Sequence, residues 1–358
     1  MPSAIDSHED YYPVPFPNDV PTVPLAKISI SKLLSGNEEE ANTLFRVCTN
    51  EGFFYLDLTT EPRGQKFSNE AQKLHHIAKD VFQNVSIDEK LSFKPFEGAA
   101  HLDTGYKCTS LDEERKPDRV EFLNISHYGL LCEPEKYKLP PWLSKSEDIY
   151  RSFMQDGNWI ANLIFSILER KLHLPPGAFT SIHQTKDASG DFLRMLHYPA
   201  PKDGKPLTKA PTPSHTDASS ITMLFNWQGG LQITKARAAG ESKVDLEDAD
   251  KESEDSWYYV KPEPGCLIVN LGDAMVVLTN GLLKSGKHRV VTPPGPQGRF
   301  NRYSVLTNAR PKNDTLMRSL KSDMINPESE EQLAEEAITA LEWSMRKVRA
   351  ILARASAS

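Results

Sequence analysis

Ser214-His215-Thr216-Asp217, with His288 far downstream and Arg302-Tyr303-Ser304 beyond it, is the part of this chain whose reading decides its fold. Residues two apart on an extended strand point to the same side. His215 and Asp217 can therefore reach one ion from a single short segment. His288 sits in Ser285-Gly286-Lys287-His288-Arg289-Val290-Val291, just before a strand-like run. Two imidazoles and one carboxylate can hold a divalent ion on one face and leave the opposite face open. Such a donor set suits Fe(II), but also Mn, Co, Ni or Zn, and geometry and supply select among them. An H-x-D alone arises by chance in many proteins. An H-x-D followed by a later His and an R-x-S is far more specific.

In Arg302-Tyr303-Ser304 the two polar residues again share one face of a strand. A guanidinium fork binds a carboxylate through two hydrogen bonds, and a neighbouring hydroxyl can add a third. An inward-facing Arg on a barrel strand otherwise needs a buried acidic partner. Around these motifs, from Phe192 onward, short apolar runs alternate with Gly, Pro and Asn turns. The runs are Ile221–Phe225, Leu231–Ile233, Trp257–Val260, Cys266–Asn270, Ala274–Leu278, Arg289–Thr292 and Arg302–Leu306. Many short strands separated by turn signals point to a β-sandwich or jelly roll.

Upstream, Pro24–Ile30 and Gly52–Leu58 read as strands, and Ser31–Asn50 between them as a helix. Ser68–Val85 and Ile149–Leu172 carry apolar residues at helical spacing. Residues 1–22, rich in Pro and charge, predict a loose arm. The tail from Ser329 to Arg354 reads as one helix, with Ser329 and Gln332 forming a capping box. Lys235–Ser256 is a charged, mostly acidic stretch between two strands and predicts a solvated loop. The resulting division is an arm at 1–22, a helical and strand region at 23–190, a strand-rich core at 191–312 with the charged insertion 235–256, and a helical extension at 313–358.

The 358 residues, 39% of them hydrophobic, are enough for a sizeable core. A net charge of -7 excludes a broadly basic nucleic-acid or anionic-membrane surface. No apolar run approaches the ~20 residues needed to cross a bilayer. The first ten residues carry acids and no apolar core of a secretory signal. Cys48, Cys108, Cys132 and Cys266 lack a C-x-x-C spacing and read as reduced thiols of a cytoplasmic protein.

The motifs together resemble the isopenicillin N synthase-like branch of the 2-oxoglutarate/Fe(II)-dependent dioxygenases, over roughly Val23 to Pro311. The resemblance rests on Glu51-Gly52-Phe53-Phe54-Tyr55, Asp118-Arg119-Val120-Glu121-Phe122, Leu196-His197-Tyr198-Pro199, Ser214-His215-Thr216-Asp217, Asn270-Leu271-Gly272-Asp273, Leu278-Thr279-Asn280-Gly281, His288-Arg289-Val290 and Arg302-Tyr303-Ser304. It implies an α+β fold, a double-stranded β-helix (jelly-roll) core flanked by helices. It makes His215, Asp217 and His288 ligands of Fe(II), and has Arg302 and Ser304, assisted by Tyr198, hold the distal carboxylate of 2-oxoglutarate. O2 is then the oxidant, with ascorbate a helpful additive in vitro. Leu196 stands where the family often carries Asn, and Thr307 and Asn308 stand where plant members carry two aromatics.

The expected activity is oxidation of a small organic molecule by hydroxylation, desaturation or cyclisation, in secondary metabolism, by a monomer or homodimer. Neither nucleic acid nor membrane is an expected partner. His101, Tyr106, His197, Phe225, Phe300 and Asn308, with Trp227, are candidates for the substrate pocket. Packing roles are the competing reading for the aromatics and for His197, His75, His76, His127, His173 and His183. Three rival functions remain on sequence alone: an iron oxidase that uses no 2-oxoglutarate, a metal-dependent hydrolase, and a non-catalytic binding protein on the same fold.

Overall fold

The computed structural model describes residues 14–94, 104–234 and 256–357. Twelve strands run through them in chain order: β1 (Lys27–Ser29), β2 (Phe53–Asp57), β3 (Gly105–Cys108), β4 (Glu121–Ser126), β5 (Phe192–Tyr198), β6 (Thr212–His215), β7 (Ile221–Asn226), β8 (Leu231–Thr234), β9 (Trp257–Tyr259), β10 (Cys266–Leu271), β11 (His288–Val290) and β12 (Arg302–Ala309). The major sheet has the order β1-β2-β10-β7-β12-β5-β4-β3, and the minor sheet β6-β11-β8-β9. All pairings are antiparallel except β1 with β2. The fold is a jelly roll with helices packed on the outer face of its major sheet.

Strand alternation divides the core into two parts. Tyr303, Val305 and Ala309 of β12, Leu193 and Met195 of β5, and Met223 and Phe225 of β7 join the large outer core. The helices Pro62–Asn84 and Glu147–Lys171 complete it with Phe67, Leu74, Phe153 and Ile160. Leu196, Tyr198, Leu231, Ile233, Ile268 and Val290 belong to a second core between the two sheets. Arg302 and Ser304 alternate with the outer-core residues of β12 and so face this inner space.

Four expectations need correction. The run Ala274–Leu278 is not a strand but a short helix, Asp273–Leu278. A short apolar run has no periodicity to distinguish the two. Here Gly272 and Asp273 donate their backbone N–H groups to Ser220 and Asp217 and turn the chain out of β10. The segment Ser31–Asn50 forms two helices, Ile30–Leu34 and Glu38–Asn50, split at Gly36, whose φ of 73° suits glycine. The tail likewise forms two helices, Glu330–Ala334 and Ala340–Ala357. The second has its own capping box: Thr339 Oγ1 accepts from the Glu342 N–H, and Glu342 Oε2 accepts from the Thr339 N–H. Finally, the described part of the arm is held to the core. Thr22 bridges Tyr259, Phe16 packs edge-on against Tyr259, and Gln297 donates to the Val14 carbonyl at 3.0 Å. Residues 1–13, and the insertion 235–256 apart from Ser256, lie outside the described residues.

Candidate metal centre

The register of the minor sheet builds the centre. His215, the last residue of β6, lies directly opposite His288, the first of β11. Their rings stand 4.3 Å apart, and Asp217 follows just past the end of β6. Asp217 Oδ1 is 3.6 Å from His215 Nε2 and 3.8 Å from His288 Nε2. One donor atom from each residue lies within 4.8 Å of the other two, a spacing that one ion can bridge.

Each donor is aimed by a second hydrogen bond. His215 Nδ1 donates to the Pro213 carbonyl at 2.9 Å, and His288 Nδ1 to the Gly286 carbonyl at 3.1 Å. Both Nε2 atoms are thereby left as acceptors with a lone pair for a metal. Asp217 Oδ2 accepts from Thr222 Oγ1 and Asn270 Nδ2, both at 2.8 Å, which leaves Oδ1 for the ion. Phe53 packs edge-on against the His288 ring at 5.6 Å. A Cβ on Gly286 would lie 2.0 Å from the Phe53 ring, so only glycine fits there.

Electrostatics agree with this geometry. Burial, reinforced by the neighbouring His215, pushes His288 down to about 4, so it is neutral near pH 7. Burial alone would raise Asp217, but His288, His215 and Asn270 together hold its carboxyl well below the usual carboxylate range. Neutral imidazoles and an ionised carboxylate are the forms that ligate a cation.

The same inner space holds the expected carboxylate site. Arg302 is 1% exposed, and no acidic side chain among the described residues pairs with it. Its Nε donates to the Gly229 carbonyl at 2.8 Å and its Nη1 to Ser304 Oγ at 3.3 Å. The guanidinium carbon lies 5.0 Å from the Tyr198 ring centroid, and the Tyr198 hydroxyl shares a hydrogen bond with Thr212. Burial lowers the Arg302 pKa, yet a guanidinium stays charged in proteins. A buried cation facing a barrel interior without an anion fits an anionic ligand.

The other candidates divide by strand parity. Tyr106, His197 and Phe225 face the helices, not the candidate metal centre. Tyr106 Oη and His197 Nδ1 both donate to Glu121, which also pairs with Lys90, all four being buried. Phe225 packs against Phe67 and Phe153, and Trp227 against His75. Asn308 is on the barrel side, where its Oδ1 accepts from the Phe192 N–H. Phe300 precedes β12 and is 40% exposed. His101 lies outside the described residues. His75, His127 and His183 are buried in packing positions, His183 Nδ1 donating to the Phe179 carbonyl.

Several residues at the centre escaped the sequence reading. Asn270 and Asp273 lay inside a quoted motif but without roles, and Thr222 carried no signal. Asp273 accepts from Thr216 at 2.9 Å and from Ser285, and pairs with Lys347 of the C-terminal helix. No spacing connects Lys347 to residue 273.

Comparison with known proteins decides the family. The sequence profile of the 2OG-Fe(II) oxygenase superfamily matches residues 189–311. A 2-oxoglutarate-dependent dioxygenase of Aspergillus fumigatus is 36% identical over 342 residues, covering 95% of this chain and 89% of that protein. The chain belongs to the 2OG-Fe(II) oxygenase superfamily. A second relative, a 2-oxoglutarate-dependent dioxygenase of Gibberella zeae, is 30% identical and covers 86% of each chain. Among solved structures, a full-length Neurospora crassa protein in complex with alpha-KG superposes on this oxygenase with a TM-score of 0.69 at 19% identity, covering 93% of this chain and 98% of that one. It shares the fold. The family implies Fe(II) and 2-oxoglutarate, and the three donors and the unpaired buried guanidinium fit both. Among the described residues no helix of the oxygenase is long and apolar enough to cross a membrane.

Proposed function

We propose that His215, Asp217 and His288 hold Fe(II), and that Arg302 and Ser304, flanked by Tyr198, hold the distal carboxylate of 2-oxoglutarate while a small organic molecule is oxidised. Bound iron and 2-oxoglutarate together supply the oxidising chemistry from O2, with succinate and CO2 as co-products. The protein's own part is positional. The Pro213 and Gly286 carbonyls orient the two imidazoles, and Thr222 and Asn270 restrict Asp217 to one ligating oxygen. The apolar inner residues Leu231, Ile233 and Val290 line the space between the two sheets beside the site. The observation that carries this reading is Arg302, a buried guanidinium in the barrel with no carboxylate partner among the described residues. An oxidase that uses no 2-oxoglutarate could place a carboxylate of its own substrate on that charge, and succinate formation distinguishes the two.

The substrate class we propose is a small molecule of specialised metabolism, in keeping with the fungal dioxygenases it matches. A cytoplasmic setting is supported by four free cysteines. Monomer or homodimer remains the expected assembly, and ascorbate the expected additive. The test is reconstitution of the protein with Fe(II) and ascorbate under air, with succinate quantified against a panel of small metabolites. Succinate should rise with a cognate metabolite. Arg302→Ala should raise the KM for 2-oxoglutarate by about tenfold to a hundredfold, the loss of charge-assisted bonds to a buried anion. An unchanged 2-oxoglutarate dependence in that variant sinks the assignment of Arg302.

A further inference from the structure

The C-terminal helix reaches the metal centre. Its docked face repeats at three and four residues: Ala340, Trp343, Ser344, Lys347. Ala340 and Trp343 pack with Ala274, Val277 and Met317 in a small third core. The Thr339–Glu342 capping box and the Leu316–Thr339 bridge fix where the helix begins. Two turns on, the same face carries Lys347, which is 9% exposed. Its Nζ pairs with Asp273 Oδ2 and donates to Thr216 Oγ1 at 3.1 Å.

Asp273 is where the ligand-bearing segments meet. Its carboxylate accepts from Thr216, the residue between His215 and Asp217, and from Ser285, three residues before His288. Its backbone N–H donates to the Asp217 carbonyl at 2.8 Å. One buried carboxylate therefore ties both halves of the ligand set, and a buried carboxylate needs a counter-charge. Among the described residues Lys347 is the cation that pairs with it.

We propose that Lys347 is a positioning residue for the iron site: through Asp273 it fixes the 215–217 and 285–288 segments at the spacing the ion requires. This rests on the Fe(II) reading above. It gives the C-terminal helix a part in metal binding as well as in packing.

The experiment is titration of the full-length apoprotein with Co(II), followed by its d–d absorption, for wild type, Lys347→Met and Lys347→Arg. Folding is monitored by circular dichroism and urea unfolding. Lys347→Met should raise the Co(II) Kd about tenfold, in the range seen when a residue that orients a ligand is lost. It should also change the d–d band shape, and Lys347→Arg should restore most of both. If Lys347→Met does not fold, Lys347→Gln, which keeps Asp273 and a polar partner for it but removes the charge, replaces it. A merely structural lysine lowers the urea midpoint but leaves Kd and spectrum at wild-type values in the folded variant, and that result overturns the proposal. Wild-type protein that takes up no Co(II) refutes the metal centre itself, a failure distinct from this one.

Discussion

Asp217 meets the sharpest demand that the proposed iron site makes, because one of its oxygens would have to stay free while the other is held. Thr222 and Asn270 meet that demand by donating to Oδ2 from adjacent strands, their own positions fixed by the Thr222–Asn270 register pair. Asn270→Leu should leave all three ligands in place and still weaken Co(II) binding by roughly tenfold or more. Metal titration of the apoprotein measures it, and a wild-type Kd would remove Asn270 from the account. At this scale the cluster of His215, Asp217 and His288 was legible, since H-x-D, a later His and R-x-S are local patterns of reactive residue types. Thr222 was not, because a threonine in an apolar strand looks like any other. Its role exists only once β7 and β10 lie side by side.

The strands show where sequence reading reaches its limit. Alternation says that successive residues face opposite ways, but both faces of the major sheet are buried, so composition does not tell which face meets the proposed metal centre. That is why Tyr106, His197 and Phe225, polar or aromatic and close in sequence to the motifs, stood as pocket candidates beside a packing reading, and the strand register places them against the helices. The ambiguity resolves through Arg302: any residue paired across the sheet with its face is inward, and any paired with Tyr303 is outward. His197 is paired with Tyr303, and Phe225 with Val305. Phe225→Ala should therefore lower stability by about 3–5 kcal/mol, the usual loss for a buried Phe, and leave the KM for 2-oxoglutarate unchanged. Urea unfolding and initial rates separate the two effects, and a shifted KM without loss of stability would return Phe225 to the pocket.

Across the whole molecule, buried histidines tie the fold to pH. Burial pushes His75 down to about 3, and His127 and His183 to about 4, with His76 and Lys79 adding to the effect at His75. All three stay neutral in the folded protein, whereas in the unfolded chain they bind protons below pH ~6.5. Stability contributed by these groups is therefore present above that pH and is lost as the pH falls toward 4. Asp191 works the other way: burial raises it to about 7, so acidification relieves an unfavourable ionisation. Three groups outweigh one, and with His288 shifted the same way in the metal-free protein, lowering the pH from 7 to 5.5 should cost about 2–3 kcal/mol. Urea midpoints at the two values check the sign; a higher midpoint at pH 5.5 refutes it. None of this was legible beforehand, since which histidines are dry depends on packing between helices and strands distant in sequence. The fold class was legible, because turn-punctuated short strands and helical spacing are local signals.

The sheet order places β2 between β1 and β10, pairing Phe53 with Asn270. An early strand thus waits for one made more than halfway along the chain, and β5 waits in the same way for β12. Closing such long loops is slow. During synthesis the first half of this protein leaves the ribosome with the strand edges of β2 and β4 uncovered, and such edges invite pairing with other chains. The barrel can close only when residue 309 has emerged, so yield in a foreign host should depend on how well its chaperones shield those edges until then.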